Sequence, residues 1–329
     1  MSELAKMTMA KALNEGLRAT LAGNPRTLLM GEDIGPLGGV YRVTDGLIGE
    51  FGADRVVDTP LAESGIIGTA IGLALRGYSP VCEIQFDGFV FPGFNQITTQ
   101  LAKIHSRSNG NLTVPVVIRI PYGGGIGSIE HHSESPEALF AHTAGLRIIT
   151  PSNPHDAYWM IQQAVECQDP VIVFEPKRRY WLKGEVDVEA PGPSEDPFKA
   201  HVLREGTDAT VVAYGPLVPV ALAAANAAEE DGRSLEVIDL RSISPIDFDT
   251  VTASVQKTGR LIVTHEAPTF GGIGGEIAAR ISERAFHSLE APVIRVGGFH
   301  MPYPVAKVEE DYLPDIDRIL EALDRALSY

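Results

Sequence analysis

Cysteine is nearly absent: among 329 residues only Cys82 and Cys167 carry a thiol. Two widely separated thiols make neither a disulfide framework nor a zinc-type spacing, and both read as buried thiols in a reducing compartment. Long hydrophobic runs are also lacking, and no stretch reaches the roughly 20 apolar residues of a membrane-spanning helix. Positive charge is scarce, 27 Lys and Arg against 43 Asp and Glu, for a net charge of −16. Nucleic-acid binding needs a basic footprint, which this balance does not provide, although a basic protein partner would suit it. The opening Met-Ser-Glu-Leu-Ala-Lys has no signal-peptide pattern, so a cytoplasmic, non-membrane location is expected.

What remains is an ordinary globular composition, 44% hydrophobic and 21% charged, in a chain long enough for two domains. The stretch from Asp58 to Gly77 organises it. A short β-branched run, Arg55 to Asp58, meets Pro60, which disfavours helix in the residue before it. A helix is predicted from about Glu63, with Gly77 as its stop. Gly65, Gly68 and Gly72 recur along one face of that helix. Each costs roughly 0.5–1 kcal/mol relative to alanine, so a stripe of them implies close approach by another backbone. Packing inside one subunit would also explain the stripe. Glu63 stands where α/β proteins place chemistry, at a strand-to-helix turn, though the helix macrodipole alone would also favour a carboxylate there.

Around this stretch the chain alternates strands and helices. A leading helix covers 8–22. A buried strand Thr27–Met30 ends in the polar turn Gly31-Glu32-Asp33-Ile34-Gly35. A Gly-rich loop with one short helix occupies 36–54. Strands are predicted at 80–86, 114–120, 146–149 and 170–175, with helices over 93–107 and 154–167 and one started by Ser135-Pro136. Tyr122-Gly-Gly-Gly-Ile-Gly127 reads as a mobile loop leading to His131 and His132. It lacks the Lys-Ser/Thr of a phosphate-binding loop, and two adjacent imidazoles alone are no zinc site. A proline-rich, acidic segment, 184–199, reads as a linker. Beyond it, strands at 209–214, 235–240, 260–265 and 292–296 alternate with helices at 217–230, 247–257 and 273–286, before a final helix at about 314–327. Gly271 to Gly275 is not a dinucleotide fingerprint and is read as tight helix-on-sheet packing. The fold class is therefore α/β, with two doubly wound domains of mainly parallel sheet at 1–183 and 200–329.

Glu63 followed by Gly68 and Gly72 resembles the pyrimidine-domain motif of thiamin-diphosphate enzymes. The wider set resembles the β subunit of 2-oxoacid dehydrogenase E1 components. It comprises Asp58–Gly77, Cys82–Pro92, His131-His-Ser-Glu-Ser-Pro-Glu-Ala138, Phe174-Glu-Pro-Lys177, Glu236–Ser242 and Thr264-His-Glu-Ala-Pro268. The resemblance implies a thiamin-diphosphate-binding pyrimidine domain followed by a transketolase C-terminal-like domain. It implies that Glu63 contacts the aminopyrimidine nitrogen, that Phe89 packs on the pyrimidine ring, and that Ile34 joins them in cofactor binding. His132 matches a histidine assigned to acyl transfer, whereas His131 stands where relatives often carry Tyr or Gln.

The family's Gly-Asp-Gly…Asn-Asn signature for metal and diphosphate is missing here. An E1 α subunit would therefore hold Mg²⁺ and the diphosphate in an α2β2 heterotetramer. Backbone carbonyls of Val116, Ala164, Cys167 and Asp169 match a K⁺ site, with Cys at a position commonly acidic in pyruvate enzymes. The implied reaction is oxidative decarboxylation of a 2-oxo acid with acylation of the lipoyl group of an E2 acyltransferase. The features after His132 and in Phe174–Lys177 lean toward branched-chain substrates, ahead of pyruvate and acetoin. Readings from other classes are a non-catalytic partner-binding subunit and an NAD dehydrogenase, the latter lacking its fingerprint.

Overall fold

A computed structural model describes residues 4–190 and 196–329. The chain divides into two compact units, one of residues 1–122 and 139–197, the other of residues 123–138 and 198–329.

In the first unit, β1 (Ala5–Thr8) leads into α1 (Met9–Gly23), whose amide at Lys11 is capped by the Thr8 hydroxyl. Helix α1 buries Met9, Leu13, Leu17 and Leu21, spaced four apart on one face. It packs tightly on α6 (Pro154–Glu166): a Cβ on Gly16 would lie 2.5 Å from Ile161 Cγ2 and 2.7 Å from the Tyr158 carbonyl. The sheet contains β2 (Thr27–Gly31), β3 (Val56–Asp58), β4 (Ser79–Glu83), β5 (Val117–Tyr122), β6 (Arg147–Ile149) and β7 (Val171–Pro176). These strands are parallel and run in the spatial order β6-β7-β5-β4-β2-β3. β2, β5 and β7 are buried throughout, which is why they read as unbroken apolar runs without alternation. Between strands lie the short α2 (Leu47–Phe51), then α3 (Glu63–Leu75), α4 (Ala102–Arg107) and α5 (Glu137–Ala141).

Two segments depart from the sequence expectation. The helix expected over 93–107 is present from residue 94 to 107, but it follows a 3₁₀ turn at Asp87–Gly93 and takes a π-helical turn at Gln96–Leu101 before α4. The Thr98 and Thr99 hydroxyls bond back to the carbonyls of Phe94 and Asn95, and such back-bonding bends a helix. The expected linker also begins as structure. β8 (Lys183–Val186) pairs antiparallel with β1, while Pro191 and Pro193 lie outside the described residues.

In the second unit β9 (His201–Arg204), β10 (Ala209–Ala213), β11 (Leu235–Asp239), β13 (Leu261–Pro268) and β14 (Ile294–Gly298) form a sheet ordered β14-β13-β10-β11-β9; β12 is the short strand Ser242–Ser244. All its neighbouring strands are parallel except the edge strand β9. β9 is four residues of half-exposed, partly charged sequence, too short to show a period. The Ala-rich α7 (Val218–Glu230) and α11 (Ile316–Leu327) join one core, with Ala221, Ala224 and Ala228 against Ile319, Leu323 and Ala326. Asp247 caps α8 (Phe248–Thr258), and Gly259 ends it at φ 71°. α9 (Ile273–Arg284) and the one-turn α10 (Glu309–Tyr312) complete the unit.

Candidate active site

The carboxyl ends of β2, β3 and β4 present three turns at one edge of the first sheet. The β2 turn is tied to the end of β3 by the Gly35 amide, which donates to the Asp58 carboxylate at 3.0 Å. Glu63 is the first residue of α3 and only 8% exposed, yet among the described residues no hydrogen bond or ion pair to its carboxylate is found. Glu32 stands nearby. Burial, then the neighbouring charges of Glu63 and Asp33, push its carboxyl above the usual range, while the Ala62 amide pulls it back. Two carboxylates thus face the same small region.

Phe89 is carried to this place by its own turn. The 3₁₀ segment Asp87–Gly93 packs on the start of α3, where a Cβ on Gly93 would meet the Glu63 carbonyl at 3.3 Å. Phe89 is half-buried, edge-on to Phe86 with centroids 5.6 Å apart. Ile34 lies in the β2 turn, but its side chain is 1% exposed and its carbonyl accepts from the Thr44 hydroxyl. The first unit therefore brings the elements carrying Glu63, Phe89 and Ile34 together.

Beneath them lies a charge network that sequence reading did not identify. Arg119 on β5 donates to Glu83 on β4 at 2.6 Å and to both oxygens of Glu175 on β7, and the Tyr180 hydroxyl adds a 2.6 Å bond to Glu175. Burial disfavours the guanidinium, but Glu175 and Glu83 outweigh it and hold Arg119 firmly protonated. Burial pushes the Glu83 carboxyl up, opposed by Arg119. Lys177, fully buried, pairs with Asp87, the first residue of the turn that carries Phe89, and its Nζ lies 5.5 Å from the Phe86 ring centroid. The motif Phe174–Lys177 thus supports the Phe89 turn from below. No local signal marks this pairing, because Lys177 and Asp87 are 90 residues apart.

The Val116, Ala164, Cys167 and Asp169 positions lie at the opposite, amino-terminal edge of the same sheet. The Val171 amide donates to the Val116 carbonyl at 3.0 Å, and the Cys167 amide to the Ala164 carbonyl at 3.3 Å, at the end of α6. The Asp169 carboxylate pairs with Arg147 at 2.7 Å. Cys82 is buried, whereas Cys167 is only half-buried, contrary to expectation; burial pushes both thiols up. Among the described residues no cluster of three or more His, Cys, Asp or Glu could hold a metal ion.

The glycine face of α3 is not packed inside its unit. Gly65, Gly68 and Gly72 are exposed, and a Cβ on Gly68 or Gly72 would meet nothing within 4 Å.

His132 falls in the second unit, at the end of a single 3₁₀ turn, Glu130–His132, with its ring 4.3 Å from that of His131. The helix beyond starts at Glu137, one residue later than the Ser135 cap and Pro136 start expected. The glycine run before His132 is not an open loop. Buried Glu266 accepts from the Gly124 amide, and Glu309 accepts from the amides of Gly125 and Gly127, both at 2.9 Å. In the same unit His265 is fully buried. Its Nδ1 donates to the Ala267 carbonyl, and its Nε2 accepts from Gly274 at the start of α9. Burial pushes this imidazole down to about 4. Gly272 and Gly274 have no room for a Cβ beside it, so the Gly271–Gly275 run serves close packing, as the sequence suggests.

Comparison with known proteins bears on these elements directly. The transketolase pyrimidine-binding domain family matches residues 5–181 and the transketolase C-terminal domain family residues 198–319. The chain is 64% identical to a pyruvate dehydrogenase E1 component subunit beta of Leifsonia xyli subsp. xyli, over 98% of this chain and 95% of that one. It is 53% identical to a 3-methyl-2-oxobutanoate dehydrogenase subunit beta of Mycobacterium tuberculosis, over 98% and 92% of the two chains. A Staphylococcus aureus pyruvate dehydrogenase E1 component subunit beta matches at 44% over 99% of this chain and all of its own length. Among solved structures, a split-gene transketolase described as an inactive β4 tetramer shares the fold at a TM-score of 0.81 and 23% identity, covering 98% of each chain. Two domain families that span the chain in order, and relatives that match it nearly end to end, lead to one assignment. The chain belongs to the family of 2-oxoacid dehydrogenase E1 β subunits, the transketolase-like enzymes that depend on thiamin diphosphate.

Proposed function

We propose that this chain joins an E1 α subunit in an α2β2 heterotetramer, oxidatively decarboxylates a 2-oxo acid and passes the acyl group to the lipoyl arm of E2. The observation that carries the reading is Glu63: a carboxylate nearly buried at a helix start, without a hydrogen-bond partner among the described residues, beside an aromatic turn held by a buried ion pair. A buried acceptor left open in this way suits a ligand nitrogen. Thiamin diphosphate, when bound, supplies the carbanion chemistry that releases CO₂. Glu63 would hold and move a proton at the pyrimidine nitrogen. Phe89 would cover the ring face, Ile34 would back the site from the β2 turn, and His132 would move a proton during acyl transfer.

Mg²⁺ and the diphosphate fall to the α subunit in this reading. K⁺ at the carbonyls of Val116, Ala164, Cys167 and Asp169 would stabilise the far edge of the sheet and take no part in chemistry. The chain would work in the cytoplasm; among the described residues no helix is long and apolar enough to cross a membrane. E2 would dock on the acidic C-terminal region, where Glu310, Asp311, Glu321 and Asp324 remain exposed, whereas Glu309 is buried. Opposite charge across such a contact speeds encounter, so association with E2 should slow as salt rises.

The names of the relatives divide between pyruvate and 3-methyl-2-oxobutanoate, the branched-chain acid toward which the motifs at 135–138 and 174–177 lean. The test is to copurify the chain with its α subunit and titrate thiamin diphosphate and Mg²⁺. Turnover of both 2-oxo acids is then compared with an artificial electron acceptor. Cofactor binding by the pair but not by this chain alone, with turnover of one of the two acids, is expected. Tight cofactor binding by the β chain alone, or turnover of neither acid by the loaded pair, overturns the reading.

A further inference from the structure

The glycine run before His132 presents backbone amides in the manner of an anion-binding nest, with Gly123, Gly125 and Gly127 at φ 80°, 78° and 69°. A phosphate would be the expected guest, yet carboxylates of the same chain already occupy the amides. Glu309 sets one oxygen on the Gly125 amide and the other on the Gly127 amide, and the Tyr303 hydroxyl donates to Oε1 at 2.7 Å. Glu266 takes the Gly124 amide between them and lies 3.4 Å from the Ser135 hydroxyl. Gly124 is pressed against Tyr303 so closely that a Cβ there would overlap the phenol oxygen. Finally, the Gly123 amide donates to the Glu134 carbonyl at 2.9 Å, which ties the two ends of the loop together two residues past His132.

We propose that Glu309 is a positioning residue: by holding Gly125 and Gly127, with Tyr303 bracing its carboxylate, it fixes the 123–134 loop and so the place of His132. The inference rests on the acyl-transfer role proposed for His132. Both carboxylate oxygens are needed, because an amide at 309 offers one acceptor and turns a donor toward the second glycine N–H. A buried N–H left without an acceptor is costly, so the loop would leave its conformation. A displacement of about 1 Å at a reacting group can cost on the order of 10²-fold in rate.

The experiment uses the assembled α/β enzyme with Glu309→Gln, Tyr303→Phe, His132→Ala and the double variant Glu309→Gln/His132→Ala. Three quantities are read: acylation of a lipoyl domain, decarboxylation with an artificial acceptor, and hydrogen exchange across residues 123–134. Glu309→Gln should slow lipoyl acylation by about 10²-fold, leave the KM for the 2-oxo acid unchanged, and expose the loop amides to exchange. The double variant should be no slower than His132→Ala alone, because both lesions remove the same function. Tyr303→Phe, which keeps the glycine contacts, should show a smaller loss in the same step and serves if Glu309→Gln fails to assemble. Wild-type acylation by Glu309→Gln, or by Tyr303→Phe where only that variant assembles, overturns the proposal while His132→Ala is slow. Multiplicative losses in the double variant also overturn it. If His132→Ala itself acylates normally, the reading of His132 falls first and this proposal with it.

Discussion

Arg119 holds Glu175 in a two-point clasp, Nε to one carboxylate oxygen at 2.7 Å and Nη2 to the other at 2.9 Å, with all of it buried between β5 and β7. A third donor reaches Glu83, so one guanidinium balances two carboxylates. Arg119→Met would leave both anions uncompensated in the interior. Removing one partner of such a set costs about 3–5 kcal/mol, and urea unfolding of the variant should show a loss of that order. A midpoint equal to wild type would show that the interior does not depend on Arg119 to hold Glu83 and Glu175.

Glu63 and His132 should separate by step. In the assembled enzyme Glu63→Gln should lose about 10²–10⁴-fold in decarboxylation itself, since an amide cannot cycle a proton. His132→Ala should retain artificial-acceptor activity better than lipoyl acylation. Near wild-type decarboxylation by Glu63→Gln would remove Glu63 from the chemistry, and equal loss in both assays for His132→Ala would reduce His132 to a structural part.

Acid should weaken the second unit through His265. Burial lowers its pKa from 6.5 to about 4, against the pull of the Ala267 carbonyl and with a small push from Arg295. Between those values the unfolded chain binds a proton that the folded chain refuses. Stability therefore falls as pH drops from about 6.5 to about 4, by on the order of 3 kcal/mol from this group, and no further below that. His265→Asn, which keeps a donor for the Ala267 carbonyl, should flatten that part of the pH profile of the urea midpoint. An unchanged slope would place the acid sensitivity in other groups.

The glycine face of α3 should matter to assembly and not to the fold of the chain. Because a Cβ at Gly68 meets nothing, Gly68→Leu should not destabilise the isolated chain and should gain up to about 1 kcal/mol from helix propensity. Mixed with its α subunit, the same variant should sediment as smaller species than wild type. A full-size complex would mean that no partner backbone approaches this stripe.

The sequence by itself determined what depends on near neighbours. Unbroken apolar runs such as Leu28–Met30 and Val171–Phe174 announced buried parallel strands, because such strands have no solvent face to encode. The strand end, Pro60 and the glycines placed Glu63 at a helix start. Tertiary structure decided what depends on distant partners. The segment 123–138 follows β5 in sequence order and was expected in the first domain, yet it clusters with the second unit. Glu309 reads locally as one more solvated acid beside Glu310 and Asp311. It is buried because its acceptors are needed by amides 182 and 184 residues earlier. A hydrogen-bond partner that far along the chain leaves no periodicity and no spacing, so only folding reveals which of several similar carboxylates is taken out of water.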